Sequence, residues 1–562
     1  MIALLLSIAA LAQDAAPAAA TGPNVIVVLT DDQGYGDFGF TGNPHVRTPA
    51  LDRLAAESVR FTSFYVTPVC STTRASLLTG RYHPRTGVTR NRNPMDGGEV
   101  TLAEELQDAG YATGLFGKWH LGRYAPCRPQ DQGFRYTLTF RGGILRELEP
   151  EPVPVRYQDP MLLRNGEELR AEGYATDVFF AAAERWIERV HEERPFFAWI
   201  ATNAPHKPYD DPPREELAAY LEEGHDPDTA CVYAMVSRID RNVARLVAKL
   251  DELGIREETI LVLLSDNGPA GDRWSAGLTG VKSSVREGGI RVPLLVRWPG
   301  RLAPRVLERV QGASPDLLPT ILELCDLPPA PTDLDGVSLV RALEGRDEPL
   351  DRTLFFHAHE DGDYGLNYAV RAPRWKLVHQ DTFHATERAT PARLYDLLAD
   401  PLETKDLAGE EPDVVAGLEE AYATWLAELR AERDLAAEPP LPRVGTNHKR
   451  QLLLTKTTEN PDGAWDFHVP RAGGYDLEFR FAPAPRRGIL LIRASALAPG
   501  SGASIVRMKN TLRKGQTVTT LEDFGLTPGP WRLSTEFRSA GKELDDIGVW
   551  QVRIRPPRAK RR

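Results

Sequence analysis

The chain has 562 residues, 42% of them hydrophobic and 26% charged, with 46 Gly and 45 Pro, a composition that excludes a disordered, collagen-like or small disulfide-scaffold protein. At roughly 150 residues per domain, this length predicts two to four domains. The formal charge of −11 is uneven, because from Lys449 onward 21 Lys and Arg face 11 Asp and Glu; an acidic body with a basic tail suits a polyanionic partner, since local field governs encounter.

The first twenty residues run apolar from Ile2 to Ala12 and reach the small-residue stretch Ala10-Leu11-Ala12, which fits signal cleavage. They predict a signal peptide over 1–20 and a protein exported to the periplasm or secreted. No later stretch approaches the ~18 to 20 apolar residues of a membrane helix, so no membrane span is expected. The four cysteines (Cys70, Cys127, Cys231, Cys325) form no CxxC pair, which excludes a zinc knuckle and a dense disulfide framework.

Asn24 to Thr30 (NVIVVLT) is an almost unbroken β-branched run, the mark of a strand buried on both faces, and Asp31-Asp32 follow it. Three comparable units recur: Ala112 to Phe116 before Gly117 and Lys118, Phe196 to Thr202 before His206, and Ile260 to Ser265 before Asp266 and Asn267. Between them, Leu102 to Ala109 and Val232 to Leu253 place apolar residues at helical spacing. The alternation predicts an α/β domain with a mostly parallel sheet sandwiched by helices, and ligands outside the carboxyl ends of its strands. From about Asp351, short strands (Tyr368 to Val370, Trp375 to His379), a turn-rich stretch and a helix near Pro412 to Arg433 suggest a smaller α+β subdomain. The Pro-rich Leu435 to Thr446 marks a linker. Beyond it, Trp465, Phe467 and Val469, then Tyr475, Leu477, Phe479 and Phe481, then Trp531, Leu533, Thr535 and Phe537 alternate with period two, which predicts an all-β sandwich or jelly roll. The expected organisation is a signal peptide at 1–20, a catalytic α/β domain at 21–350, its C-terminal subdomain at 351–434, a linker at 435–448 and a basic β-domain at 449–562.

Cys70-Ser71-Thr72-Thr73-Arg74 leads into Ala75 to Thr79 and Gly80, a helix entered at Ser71 to Thr73 and closed by the glycine. Cys70 then sits at a helix N-terminus, with Arg74 on the same face and backbone N–H groups free for an anion. The same spacing equally serves a buried structural cysteine beside a surface arginine. Asp31, Asp32, Asp266 and Asn267, each at a strand end, offer hard oxygen ligands of the kind that hold Ca²⁺ or Mg²⁺; either pair alone also serves as a helix cap or solvated turn. Lys118 and His120 fall on one side of an extended chain, and with His206 and Lys282 they complete a set of cationic and proton-transferring groups. Singly, Lys282 reads as a surface lysine and His206 as an exposed loop residue. His357, His359 and Tyr364, and Arg90 with Arg92, can line a cleft, but no spacing singles them out.

Six stretches together are more specific. NVIVVLTDDQGYGDFG from Asn24, PVCSTTRASLLTGRYHPRTGV from Pro68, GYATGLFGKWHLG from Gly110, APHKP from Ala204, SDNG from Ser265 and TGVKSSVREGGIRVP from Thr279 resemble, in order, the blocks of the formylglycine-dependent (type I, arylsulfatase-like) sulfatases. LYDLLADPLETKDLA from Leu394 extends the resemblance to Leu407. It implies an alkaline-phosphatase-like fold and a sulfuric ester hydrolase. It implies one divalent metal, Ca²⁺ in preference to Mg²⁺, held by Asp31, Asp32, Asp266, Asn267 and position 70, with Cys70 oxidised to formylglycine. Arg74, Lys118, His120, His206 and Lys282 are then expected around the sulfate. Expected partners are a sulfated small molecule or polysaccharide and a formylglycine-generating maturation enzyme, with no nucleic acid. One departure stands out: the family's CxPxR motif has proline where this chain has Thr72. The hydroxyls of Ser71 to Thr73 keep a phosphodiesterase or phosphonate monoester hydrolase on the same scaffold as an alternative, and an unoxidised Cys70 would leave a non-catalytic glycan-binding protein.

Overall fold

The computed structural model describes residues 22–436 apart from 92, 125, 141, 144–156, 210–211, 331–332, 347, 359–362 and 380–390, together with eight strands between Leu452 and Arg555. The signal peptide expected over 1–20, His359, Arg92 and nearly all of the expected linker lie outside these residues.

In chain order, the first half contributes β1 (Asn24–Thr30), α1 (Pro49–Ala56), β2 (Val59–Tyr65), α2 (Cys70–Thr79), α3 (Leu102–Asp108), β3 (Ala112–Gly117), β4 (Tyr136–Thr139), β5 (Met161–Arg164) and β6 (Glu167–Arg170). There follow α4 (Ala175–Val190), β7 (Phe196–Ala201), α5 (Arg214–Glu222), α6 (Pro227–Glu252), β8 (Thr259–Ser265), α7 (Glu287–Ile290), β9 (Arg291–Arg297), β10 (Arg305–Leu307), β11 (Gly312–Ala313), α8 (Leu317–Leu324) and α9 (Val340–Leu343). The strands form one 11-stranded sheet in the order β10-β2-β9-β8-β1-β7-β3-β4-β5-β6, with β11 beside β2. β8, β1, β7, β3 and β4 are mutually parallel, and antiparallel pairings enter only toward the edges, at β9 and β5.

The unbroken apolar run of β1 is explained by burial of all seven residues. Val25, Val27 and Leu29 pack on the face covered by α2, α3 and α8, and Ile26 and Val28 on the face covered by α1, α4 and α6. Each apolar side chain removed from water contributes about 1.5–3 kcal/mol, so a polar residue anywhere from Val25 to Leu29 is costly. The helices begin where local chemistry permits: Thr101 and Glu104 form a reciprocal capping box for α3, and the Asp226 side chain accepts from the Thr229 N–H at the start of α6.

A second sheet, β12 (Leu354–His357), β13 (Tyr368–Arg371), β14 (Trp375–His379) and β15 (Arg393–Asp396), is antiparallel throughout. One face packs on Leu418, Tyr422, Trp425 and Leu429 of α10 (Pro412–Glu432). Its other face, with Phe356, Ala369 and Val378, packs on Tyr65, Val285 and Ile290 of the large α/β unit. The eight C-terminal strands form two four-stranded antiparallel sheets, and the burial of Leu477 with Phe479, Leu490 with Ile492 and Trp531 with Leu533 follows the period-two pattern of the sequence. Among the described residues no helix is long and apolar enough to cross a membrane.

Gly117 closes β3 at φ +113°, where a Cβ would overlap the Ala201 carbonyl of β7. That carbonyl accepts the next N–H, from Lys118, at 2.8 Å. Gly117→Ala is expected to cost about 2–4 kcal/mol from backbone strain and overpacking, read as a lowered urea midpoint.

Candidate active site

Strand register decides where the polar residues emerge. Thr30 of β1 stands opposite Ser265 of β8, Leu29 opposite Ala201 of β7, and Gly117 of β3 opposite Ala201. The residues that follow these four adjacent strands therefore leave the sheet at one rim: Asp31-Asp32, Asp266-Asn267, Thr202 to His206, and Lys118 to His120. Backbone bonds from Asp266 N–H to Thr30 O (3.0 Å) and from Asp31 N–H to Ala204 O (3.2 Å) tie the segments together.

Cys70 enters from the β2–α2 connection. Val69 is extended, Cys70 begins α2, and Gly80 ends it in the left-handed conformation at φ +69°, as its sequence predicts. The Cys70 Sγ lies 3.6 Å from Asp31 Oδ1 and 3.4 Å from Lys282 Nζ, and is fully buried. Lys118 Nζ donates to Asp31 Oδ2 at 2.6 Å, and Lys282 Nζ to Asp32 Oδ1 at 2.5 Å. Arg74 forks onto Asp266 Oδ2 through Nε (3.0 Å) and a terminal nitrogen (2.7 Å) and donates to the Lys118 carbonyl. His206 Nε2 is 3.6 Å from Asp32 Oδ2. Nine of the ten residues singled out above are linked by these contacts and by the 2.8 Å bond from Asn267 Nδ2 to Asp32 Oδ1.

His120 is the exception to the geometry expected. Its φ is +62°, so the chain does not stay extended after Lys118 and the two side chains are not simply aligned on one side. The buried Nδ1 of His120 has no hydrogen-bond partner among the described residues, and Gly143 packs so near the ring that a Cβ would lie 2.7 Å from Nε2. Nor are the N–H groups at the head of α2 all free: Asn91 Oδ1 accepts from the Ser71 N–H (3.5 Å) and hydroxyl (2.9 Å). Thr72 occupies the first helical turn, where its hydroxyl donates to Val69 O (2.8 Å) and lies 2.5 Å from the Thr67 hydroxyl. Tyr364 is buried against α10, with the His357 ring stacked on it at 4.1 Å, so this pair belongs to the subdomain core.

Electrostatics follow from burial. Burial raises the Asp31 carboxyl, but Lys118, His206, Arg74 and Lys282 outweigh it and hold the group far below the ordinary range. Burial and the Asp31 charge push Asp266 up to about 6, against Arg74 and Lys118. Burial pushes the Cys70 thiol up to about 12 in spite of Lys118 and Lys282, so an unmodified Cys70 is a neutral thiol and a poor nucleophile. Burial, Lys118 and Arg74 depress His120 well below its usual value, which keeps the imidazole neutral.

The cluster suits a hard cation. Oxygen, sulfur or nitrogen atoms of Asp31, Asp32, Cys70 and His206 all lie within 4.8 Å of one another, which brings His206 into the group beside the expected ligands. Asn267 Oδ1 is buried without a hydrogen-bond partner among the described residues, an acceptor of the kind a hard metal ion takes. Asp31, Asp32 and Asp266 offset Arg74, Lys118 and Lys282 one for one, so the cluster has no surplus negative charge of its own.

Several residues that hold this site carry no local sequence signal. Arg273 binds Asp37 and donates to the Asp32 carbonyl (3.0 Å). Tyr157 Oη contacts the carbonyls of Asn203 (2.8 Å) and His206 (2.6 Å). Ser283, at φ +71°, donates its N–H to Pro68 O, and Asn367 of the second sheet donates to the Ser283 carbonyl at 2.8 Å. The loop carrying Lys282 is thereby clamped between the Cys70 segment and the C-terminal subdomain.

An acid-rich rim at the carboxyl ends of a parallel sheet, Cys70 on a helix N-terminus and a ring of fixed cations form a site of the kind a hydrolase of anionic esters needs. Residues 23–327 match the Sulfatase family, and residues 281–431 the family described as N-sulphoglucosamine sulphohydrolase, C-terminal. Arylsulfatase A of Homo sapiens is 34% identical over 484 residues, covering 76% of this chain and 91% of its own length. N-acetylgalactosamine-6-sulfatase of Canis lupus familiaris is 34% identical over 420 residues, covering 67% and 77%. The crystal structure of Ps i-CgsB in complex with k-i-k-neocarrahexaose superposes with a TM-score of 0.65 at 26% identity, over 74% of this chain and 94% of that one. The chain belongs to the sulfatase family and is a sulfuric ester hydrolase.

Asn367→Ala should lower kcat for an aryl sulfate by ~10- to 100-fold through displacement of Lys282, with KM changed less than kcat, whereas the two lost hydrogen bonds should cost only about 1–3 kcal/mol of stability. Paired steady-state kinetics and urea unfolding separate the two effects.

Proposed function

We propose that this chain is an exported sulfatase that removes sulfate from a carbohydrate ester, using position 70 oxidised to formylglycine and one divalent cation, calcium in preference to magnesium. The observation that carries the reading is the Cys70 Sγ, buried at the head of α2 between Asp31 (3.6 Å) and Lys282 (3.4 Å). A thiol there stays protonated. Formylglycine at this position would instead supply, as the hydrate of its aldehyde, a hydroxyl nucleophile that a protonated thiol is not.

Asp31, Asp32, Asp266, Asn267 and position 70 would hold the cation. It would supply Lewis-acid charge stabilisation and lower the pKa of the attacking hydroxyl, and a dense set of protein oxygens favours calcium over the strictly octahedral, water-retaining magnesium. Lys118 and Lys282 reach the pocket from opposite carboxylates and neutralise charge developing on the sulfuryl oxygens, with Arg74 adding to the field from its seat on Asp266. His120, neutral and buried, takes the proton of the attacking hydroxyl. His206, seated on Asp32, and Lys282 assist the departing oxygen by proton donation.

A carbohydrate substrate is supported by the relative named for N-acetylgalactosamine 6-sulfate and by the structural neighbour bound to a neocarrahexaose. The basic stretch after Lys449 suits such a polyanion. Export is supported by the apolar leader-like segment from Ile2 to Ala12.

Intact-mass analysis of the peptide containing Cys70, from protein made in its native host, should show the aldehyde; a free thiol throughout would overturn the nucleophile assignment. With converted protein, turnover of aryl sulfates should exceed that of aryl phosphates. Lys282→Ala and His206→Ala should each lower turnover of sulfate esters with poor leaving groups by ~100-fold or more, and wild-type rates in both would refute the roles given to them.

A further inference from the structure

A second pocket, of about 620 Å³, lies between the β2–β9 side of the large sheet and the C-terminal subdomain, and it shares no lining residue with the Cys70 site. Its inner wall includes Tyr65, Glu287, Arg291 and Arg371, and Arg309 and Arg374 stand among its outer residues.

The inner wall is the open side of a buried charge network with surplus positive charge. Lys376 Nζ bridges Glu287 Oε1 (2.8 Å) and Glu403 Oε1 (2.9 Å). Arg286 pairs with Glu403 at 3.2 Å and Arg291 with Glu287 at 3.6 Å. Arg371 donates to Tyr65 Oη (3.3 Å) and to the Ala372 carbonyl, and its guanidinium carbon sits 5.7 Å from the centroid of the Tyr65 ring. Two carboxylates thus serve three cations, and Arg371 is a fourth cation beside them. Arg371 is only 6% exposed and, among the described residues, forms no ion pair.

A buried cation without its own counter-charge is costly, and here the surplus faces a cavity. At the mouth, Arg374 is already held by Asp396 at 2.7 Å, whereas Arg309 is exposed and has no ion pair among the described residues; Glu308 beside it is also exposed. Guanidinium forks match the oxygen spacing of sulfate and carboxylate. The volume is that of a small-ligand site, and Leu398, 71% exposed at the same pocket, offers an apolar surface to a sugar ring.

We propose that this pocket binds a sulfate oxyanion, free or carried on a sugar, at a site separate from catalysis. Sulfate is the anion the enzyme releases; the sugar-borne form rests on the carbohydrate reading above. The test is calorimetric titration of the full chain with inorganic sulfate, glucosamine 6-sulfate and glucosamine at constant ionic strength. Inorganic sulfate should bind wild type in two phases. Lys282→Ala should weaken one of them, and Arg309→Glu the other at least tenfold; Arg371→Gln should reproduce the Arg309→Glu effect, and glucosamine should give neither phase.

Glucosamine 6-sulfate binding the Arg309-dependent phase tenfold tighter than sulfate would make the ligand sugar-borne, and equal affinity would make it the free ion. A single phase in wild type, or an Arg309→Glu titration superimposable on wild type, overturns the proposal. Failure of glucosamine 6-sulfate only at the Lys282-dependent phase would count against the carbohydrate reading and leave the second pocket standing.

Discussion

Three carboxylates and three cations share one water-poor cavity, and the rest of the molecule is arranged to keep them there. Asp31, Asp32 and Asp266 are essentially inaccessible, as are Arg74 and Lys118. Burying any one of these charges alone would cost several kcal/mol, so none can be removed without leaving its partner stranded. The bidentate grip of Arg74 on Asp266 and the short Lys118–Asp31 and Lys282–Asp32 contacts therefore fix the site before any ligand arrives. Such preorganisation lets a site meet charge developing in a transition state without moving its own dipoles.

The parallel sheet makes this convergence possible. Each of four adjacent strands ends at the same level, and each hands the site one or two residues. That part was legible in the sequence, because a strand buried on both faces has to be apolar along its length and its polar continuation therefore stands out, as at Asn24 to Asp32 and Thr259 to Asn267. The Cys70 helix was legible for a similar reason: its entry, its Arg74 four residues on and its Gly80 stop are all local. The two β-sheets near the C-terminus follow the alternation of residues such as Leu477 with Phe479.

What the sequence did not disclose are contacts whose partners lie far away in the chain. Asn367 reaches Ser283 across 84 residues, and nothing around either position announces the other. Asn91 occupies the Ser71 donors that a helix start alone would leave free. The left-handed turn at His120, whose ring lies against Gly143, has no signal in the residues around it. Thr72 is instructive in the opposite sense. In the first turn of α2 its N–H has no helical acceptor to reach, so the backbone there tolerates either threonine or proline, and the fold itself makes no demand for the residue the family motif specifies.

The clamp on the Lys282 loop has a consequence in time as well as in space. Asn367, Lys376 and Glu403 are made long after Cys70 during vectorial synthesis, yet they complete the wall behind the loop that covers it. Until those residues have left the ribosome and docked, the segment around Cys70 lacks its final cover. Once they dock, the side chain is sealed in. The order in which the chain's own residues are translated thus sets the moment at which this side chain passes from accessible to enclosed.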